Sequence, residues 1–271
     1  MTTTVAGVEG VLRRCRDEGR AALIGYLPVG FPTVEGSIEA MRVLVEAGCD
    51  VVEVGVPYSD PLMDGPVIQH AAATALAGGA RVDDVFRATD AVRAAGGTPL
   101  VMTYWNLVLR RGVDRFAADL AAHGGAGLIT PDLVPDEADD WIAASDEHGL
   151  DRVFLVAPSS TPERLAKVTA ATRGFVYAAS TMGVTGARST VDSDARGLVE
   201  RTRAVTDLPV CVGLGVSTGA QAAELAEFAD GVIVGSALVR CLSGPGELAD
   251  QLEALRALTA ELAHAVRSGR S

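Results

Sequence analysis

Glu53 is the first residue whose surroundings suggest chemistry. It lies in Val51-Val-Glu-Val-Gly-Val-Pro57, where its neighbours are all apolar. A carboxylate in such a run is expensive to bury unless it is paired or used. Desolvation raises its pKa toward the range useful to a general acid–base. The alternative is a buried salt bridge, but the segment supplies no cation. The run continues into Tyr58-Ser-Asp-Pro-Leu-Met-Asp-Gly-Pro66, which carries Asp60 and Asp64. Acids beside Gly and Pro commonly make turns, and either one alone would mean no more than that. A second carboxylate near Glu53 would matter, because paired acids in different environments can divide acid and base roles.

Glycine marks a second constellation. Pro209-Val-Cys-Val-Gly-Leu-Gly-Val-Ser217 and Gly231-Val-Ile-Val-Gly-Ser-Ala237 are successive apolar runs that end in small residues. Gly215 would let backbone approach an anion closely. Gly235 and Ser236 would open a short helix over Ala237–Leu242, whose free N–H groups would face a phosphate. A bland reading is that these glycines only permit tight turns. A third segment, Ser180–Ser193, is long, small and polar, as lids often are. Its alternative is a disordered surface loop.

Other chemistries find little support. The only lysine is Lys167, on a helical stretch, so an imine mechanism is not expected. His70, His123, His148 and His264 lie on helical stretches without metal-ligand spacing. Carboxylate acid–base chemistry on a phosphorylated substrate remains.

These residues need a scaffold, and the apolar pattern supplies one. Short runs rich in Val, Ile and Leu recur at Ala21–Leu27, Val51–Pro57, Leu100–Trp105, Gly127–Thr130, Val153–Ala157, Gly174–Ala179, Pro209–Gly215 and Gly231–Ala237. Such runs suit strands buried on both faces. Helical spacing appears between them at Thr33–Ala47, Asp114–His123, Asp136–His148, Pro162–Thr172, Ala195–Val205 and Thr218–Phe228. Gly7–Gly19 would be an extra N-terminal helix and Glu247–Arg267 the last. Strands alternating with helices imply a parallel sheet, and eight strands close a barrel. The expected fold is an α/β (β/α)8 TIM barrel, one domain over residues 1–271. An open doubly wound sheet is the rival. In a barrel, function sits at the C-terminal ends of the strands, where the glycine loops and Glu53 fall.

Composition narrows the partners. The 271 residues carry a formal net charge of −12, with 48% hydrophobic and 21% charged residues. An acidic globular chain is a poor nucleic-acid binder, and the charge itself serves solubility. Phosphate binding would have to rely on local dipoles. Cys15, Cys49, Cys211 and Cys241 show no C-x-x-C spacing and suggest free thiols in a reducing compartment. No apolar run reaches the ~18 residues of a membrane span, and no secretory signal is visible. A cytoplasmic protein is expected.

The sequence resembles the tryptophan synthase alpha chain family over nearly its whole length. The matching motifs are Val-Glu-Val-Gly-Val-Pro-Tyr-Ser-Asp-Pro-Leu-Met-Asp-Gly-Pro (52–66), Met-Thr-Tyr-Trp-Asn (102–106), Met-Gly-Val-Thr-Gly (182–186), Gly-Leu-Gly-Val-Ser (213–217) and Val-Gly-Ser-Ala (234–237). The resemblance implies a lyase of tryptophan biosynthesis that cleaves indole-3-glycerol phosphate to indole and glyceraldehyde 3-phosphate. It implies Glu53 as the principal acid–base residue and Asp64 as the second catalytic acid. Tyr26, Tyr104 and Tyr177 would line the indole pocket, with Asp132 near it. Gly186, Gly215, Gly235 and Ser236 would hold the phosphate. It also implies a pyridoxal-phosphate beta chain as partner in an alpha2beta2 heterotetramer, and no cofactor on the alpha chain itself. Met63 and Thr181 depart from the family's commonest pattern, at positions that bear on lid closure and partner contacts. A free-standing indole-producing lyase, a subunit kept mainly to activate a beta chain, and another phosphate-binding barrel enzyme stay open as alternatives.

Overall fold

The apolar runs fold as parallel strands, in a computed structural model that describes residues 7–179, 193–213, 215–244 and 246–268. They are β1 (Ala22–Pro28), β2 (Val51–Gly55), β3 (Thr98–Met102), β4 (Gly127–Ile129), β5 (Asp151–Val153), β6 (Leu155–Val156), β7 (Val176–Ala179), β8 (Val210–Gly213) and β9 (Gly231–Val234). Their order in the sheet is β5-β4-β3-β2-β1-β9-β8-β7-β6. The two ends of that order, β5 and β6, are separated in sequence only by Phe154. They are one strand with a break, so the sheet curls round to meet itself. This is the expected (β/α)8 barrel.

Helices α1 (Val8–Asp17) and α2 (Val34–Glu46) flank β1. Two helices, α3 (Pro66–Ala77) and α4 (Val82–Ala94), lie between β2 and β3, and α5 (Trp105–Arg111) and α6 (Val113–Ala122) follow β3. The remainder are α7 (Asp139–His148), α8 (Pro162–Ala171), α9 (Ser193–Arg203), α10 (Gly219–Ala226), α11 (Ser236–Cys241) and α12 (Leu248–Ser268). Local chemistry sets their ends. Thr33, Thr161 and Thr218 each accept an N–H of the first turn. Pro162 occupies a first-turn position, where a missing N–H costs nothing. Gly149 ends α7 in the left-handed region, at φ 66°.

Helices α3, α4 and α5 go beyond the sequence expectation. The third strand was expected to run to Trp105 but stops at Met102. The Trp105 N–H instead meets the Asp132 carboxylate at 2.9 and 3.1 Å, and the chain turns into α5. Gly65 and Pro66, which read as a turn, are the N-cap and first residue of α3.

Two packed layers follow from the period-2 alternation of the strands. One side packs against the outer helices, through Leu27, Val52, Val54, Leu128 and Val212 among others. The other side fills the barrel with Ile24, Val51, Leu100, Ile129, Val153, Phe175, Cys211 and Ile233. Val8, Val11, Leu12 and Cys15 of α1 join that inner cluster, so α1 closes the N-terminal mouth. The Val8 N–H donates to buried Asp151 at 2.7 Å, and Arg16 reaches buried Asp230 at 3.2 Å. With that mouth sealed, the opposite one is left for a ligand.

Candidate functional site

Alternation along β2 turns Val51, Glu53 and Gly55 to one side, and Val51 belongs to the barrel interior. Glu53 is therefore an inward-facing acid, one layer closer to the open mouth than Val51. It is 1% exposed, and its Oε1 has no hydrogen-bond partner among the described residues. Burial alone pushes its carboxyl up to about 8. At neutral pH Glu53 is mostly a neutral acid with a proton to give. The salt-bridge alternative finds no cation among the described residues.

Asp64 comes from the loop that follows β2. Burial raises its carboxyl to about 6, and a hydrogen bond from Tyr104 partly offsets the rise. The Tyr104 hydroxyl donates to Asp64 Oδ2 at 3.2 Å and accepts the Met63 N–H at 3.0 Å. Tyr26, Val56, Asp64, Thr103 and Tyr104 line one small cavity. Asp60, the other acid of this loop, is exposed and takes a 2.7 Å hydrogen bond from Ser59. It stays outside the cavity.

Two tyrosines feel the charge of both carboxylates. Tyr26 is paired in register with Glu53 across β1 and β2. Burial first, then Asp64 and Glu53, push its hydroxyl well above the usual range. Tyr177 responds to burial, then to Glu53 and Asp64, in the same direction. Both phenols stay protonated and lie within electrostatic reach of both acids. Glycine makes room for them. A Cβ on Gly55 would lie 2.5 Å from the Tyr26 hydroxyl oxygen, and one on Gly213 would collide with the Tyr177 hydroxyl.

The late glycine loops complete the same rim. Gly235 is the N-cap of α11, and Ser236, its first residue, is 8% exposed. Gly235 sits 3.5 Å from Tyr26 when measured from a built Cβ, which places it beside the cavity wall. Gly215 has φ +63°, a conformation that glycine adopts without strain. Gly186, and residues 180–192 of the loop expected over Ser180–Ser193, lie outside the described residues. Lys167 is exposed and pairs with Asp136. Among the described residues no group of three His, Cys, Asp or Glu side chains is placed to hold a metal ion, and no helix is long and apolar enough to cross a membrane.

A sequence profile of the tryptophan synthase alpha chain matches residues 12–267. The chain belongs to the tryptophan synthase alpha chain family. The alpha chain of Mycobacterium marinum is 65% identical over 257 residues, which cover 95% of this chain and 93% of the relative. That of Mycobacterium tuberculosis is 64% identical over 261 residues, covering 96% and 94%. A solved tryptophan synthase from Mycobacterium tuberculosis superposes with TM-score 0.91 at 63% identity, over 96% of this chain and 98% of that one. As a tryptophan synthase alpha chain it is a lyase subunit of tryptophan biosynthesis.

Seen as part of an alpha chain, the mouth contains two residues the sequence gave no reason to single out. Tyr58 stacks on Tyr104 with ring centroids 5.0 Å apart and 29° between planes. Asn106 Nδ2 donates to the Tyr58 hydroxyl at 3.3 Å. The only available signal was their place just after β2 and β3, in two of the matching motifs. Asp132 is exposed, and its observed work is to cap α5.

Proposed function

We propose that Glu53 and Asp64 carry out a retro-aldol cleavage of indole-3-glycerol phosphate to indole and glyceraldehyde 3-phosphate. One observation carries the reading: two carboxyl groups share one buried mouth, with their pKa values held apart at about 8 and about 6. Near neutrality Glu53 is an acid and Asp64 an anion. Glu53 protonates indole C3 and creates an indolenine, so the substrate forms its own electron sink. The resulting carboxylate takes the proton of the adjacent glycerol hydroxyl. The O–H electrons become the aldehyde carbonyl, the C–C bond breaks toward the ring, and Glu53 ends protonated again. Asp64 accepts the indole N–H and stabilises the positive charge that develops on nitrogen. Tyr26, Tyr104 and Tyr177 supply walls for the indole.

The test is indole and glyceraldehyde 3-phosphate release from purified protein, with and without a cognate beta chain. Formation in equal amounts is expected, with a bell-shaped pH dependence whose limbs fall near about 6 and about 8. No indole under either condition would overturn the reading.

The phosphate is read as bound by backbone amides of Gly215, Gly235 and Ser236, with Gly186 as the fourth contributor. The first amides of α11 have no intrahelical acceptor, which suits an anion. A Cβ at Gly235 would meet only ordinary contacts, with Tyr26 at 3.5 Å and Ile68 at 3.8 Å. Gly235→Ala should therefore bind glycerol phosphate nearly as the native chain does. Gly235→Asp should weaken it by at least ~10-fold through charge repulsion. Equal dissociation constants for the Asp variant and the native chain would place the phosphate elsewhere.

A beta chain is the proposed partner, in an alpha2beta2 assembly in the cytoplasm, with the whole chain acting as one domain. Leu62 and Met63 support this, since they project from the loop after β2 at 84% and 46% exposure. Large apolar side chains held in water at an active-site rim suit a surface that becomes covered.

A further inference from the structure

We propose that Tyr104 is the positioning residue for Asp64: its hydroxyl, braced by the Tyr58 ring, fixes the carboxylate where the indole N–H arrives. The inference rests on the role proposed above for Asp64 and deepens it. A tyrosine hydroxyl has one proton and can accept in return. The Met63 backbone N–H can only donate, and it points at Tyr104 Oη at 3.0 Å. That contact occupies Oη as an acceptor and leaves its single proton for Asp64 Oδ2, 3.2 Å away. One oxygen thus holds two consecutive residues of the loop. A flat hydrophobic wall for indole would need the ring but not this arrangement of donors.

The two sides of the contact differ in rigidity. Met63 and Asp64 sit in a loop with exposed neighbours, whose other ties are short-range: Asp64 N to Pro61 O at 3.1 Å, and Gln69 Nε2 to Asp64 O at 2.9 Å. Tyr104 lies two residues beyond the end of β3 and serves as the N-cap residue of α5. Its ring is stacked on Tyr58, whose hydroxyl is held by Asn106. Position therefore passes from the barrel wall through Tyr104 to the loop carboxylate. The same hydrogen bond favours the charged form of Asp64 and works against its burial. Tyr26 from β1 and Tyr177 from β7 also face Asp64, Glu53 faces both of those tyrosines, and Asp132 faces Tyr104.

Tyr104→Phe keeps the ring and its stack and removes only the hydroxyl. Two measurements decide the matter: titration of the Asp64 side-chain carboxyl by carbon NMR on the full chain, and the pH profile of indole formation with a cognate beta chain. Asp64 should titrate roughly one unit higher in the variant, a change equivalent to a tenfold equilibrium shift. The acid limb of the rate profile should move upward with it. The kcat should fall on the order of tenfold at the acid side while KM stays within roughly threefold, as for a group acting in the transition state. An unchanged Asp64 titration with superimposable pH limbs would overturn the proposal, even if the overall rate fell. If the native chain formed no indole while the titration still moved, the functional reading would fail and the positioning role would stand.

Discussion

Glu53→Gln lowers the rate of indole formation by about 10²–10⁴-fold, the scale of a lost general acid–base, and at the same time makes the fold more stable toward alkaline pH. The rate follows from chemistry. The amide has nearly the shape of the acid but no proton to give to indole C3 and no carboxylate to receive one from the glycerol hydroxyl. The stability follows from burial. The Glu53 carboxyl rises from 4.5 to about 8 on folding, with desolvation as the cause. Below about pH 4.5 the group is neutral in both states and contributes no difference. As the pH climbs toward 8, the unfolded chain ionises while the folded one does not, and native stability is progressively lost. A shift of that size corresponds to a few kcal/mol. Glutamine is neutral throughout, so its own burial cost is constant and only the slope is diagnostic. The Tm difference, variant minus native, should grow by roughly 10 °C between about pH 4.5 and about pH 8, taking ~2–4 °C per kcal/mol for a chain of this size. A Tm difference that is flat with pH would mean that Glu53 is ionised in the fold. Near-native turnover would remove it from the reaction. The two outcomes are independent, and together they express an acid kept under strain because the chemistry uses it.

Glu53 was legible because one rule was broken in an otherwise uniform strand: a carboxylate among valines must be paired or used. Its partner was harder to see. Asp60 and Asp64 have similar neighbours in sequence, and only the fold separates them, turning Asp64 to Tyr104 and leaving Asp60 in water. The family resemblance chose Asp64; local composition alone did not. The barrel was legible because each strand is buried on both faces and reads as a continuous apolar run. Its helices were legible only where their buried stripes contrast with polar ones. Helix α3 hides because its buried side is largely alanine, through Ala71, Ala72 and Ala75. Alanine barely marks an apolar face, though it favours a helix at every position. Helix α4 has a plainer stripe in Val85, Phe86, Thr89 and Val92, yet it too was absent from the helices expected from the sequence. The break at Phe154 has no signature in Val153–Ala157, because closing a barrel sets strand stagger globally. The Tyr58 brace was invisible for a related reason: 46 positions separate Tyr58 from Tyr104, and only adjacent strands β2 and β3 bring their ends together.

Asp64→Asn should lower indole formation by about 10²–10³-fold, the scale seen when one placed electrostatic stabiliser is lost, while leaving the bond to the indole N–H possible. An asparagine oxygen can still accept that N–H, so ground-state binding is largely kept and KM should change little. What disappears is the negative charge facing the indolenine nitrogen, which exists only once C3 is protonated. The loss should therefore fall on kcat. The pH profile offers a sharper reading. Native Asp64 titrates near about 6 and should set the acid limb, while Glu53 near about 8 sets the alkaline one. With Asp64→Asn the acid limb should vanish and the alkaline limb remain, because asparagine has nothing to titrate. Burial, not a neighbouring charge, raises the Glu53 carboxyl, so its limb should stay close to its native position. The double variant with Glu53→Gln should be scarcely slower than Glu53→Gln alone. Without protonation of C3 there is no cation for Asp64 to stabilise, and residues that act as a unit are not additive. A double variant slower by the full product of the single losses would mean that Asp64 works in some step before protonation, and the division of roles between the two acids would have to be redrawn.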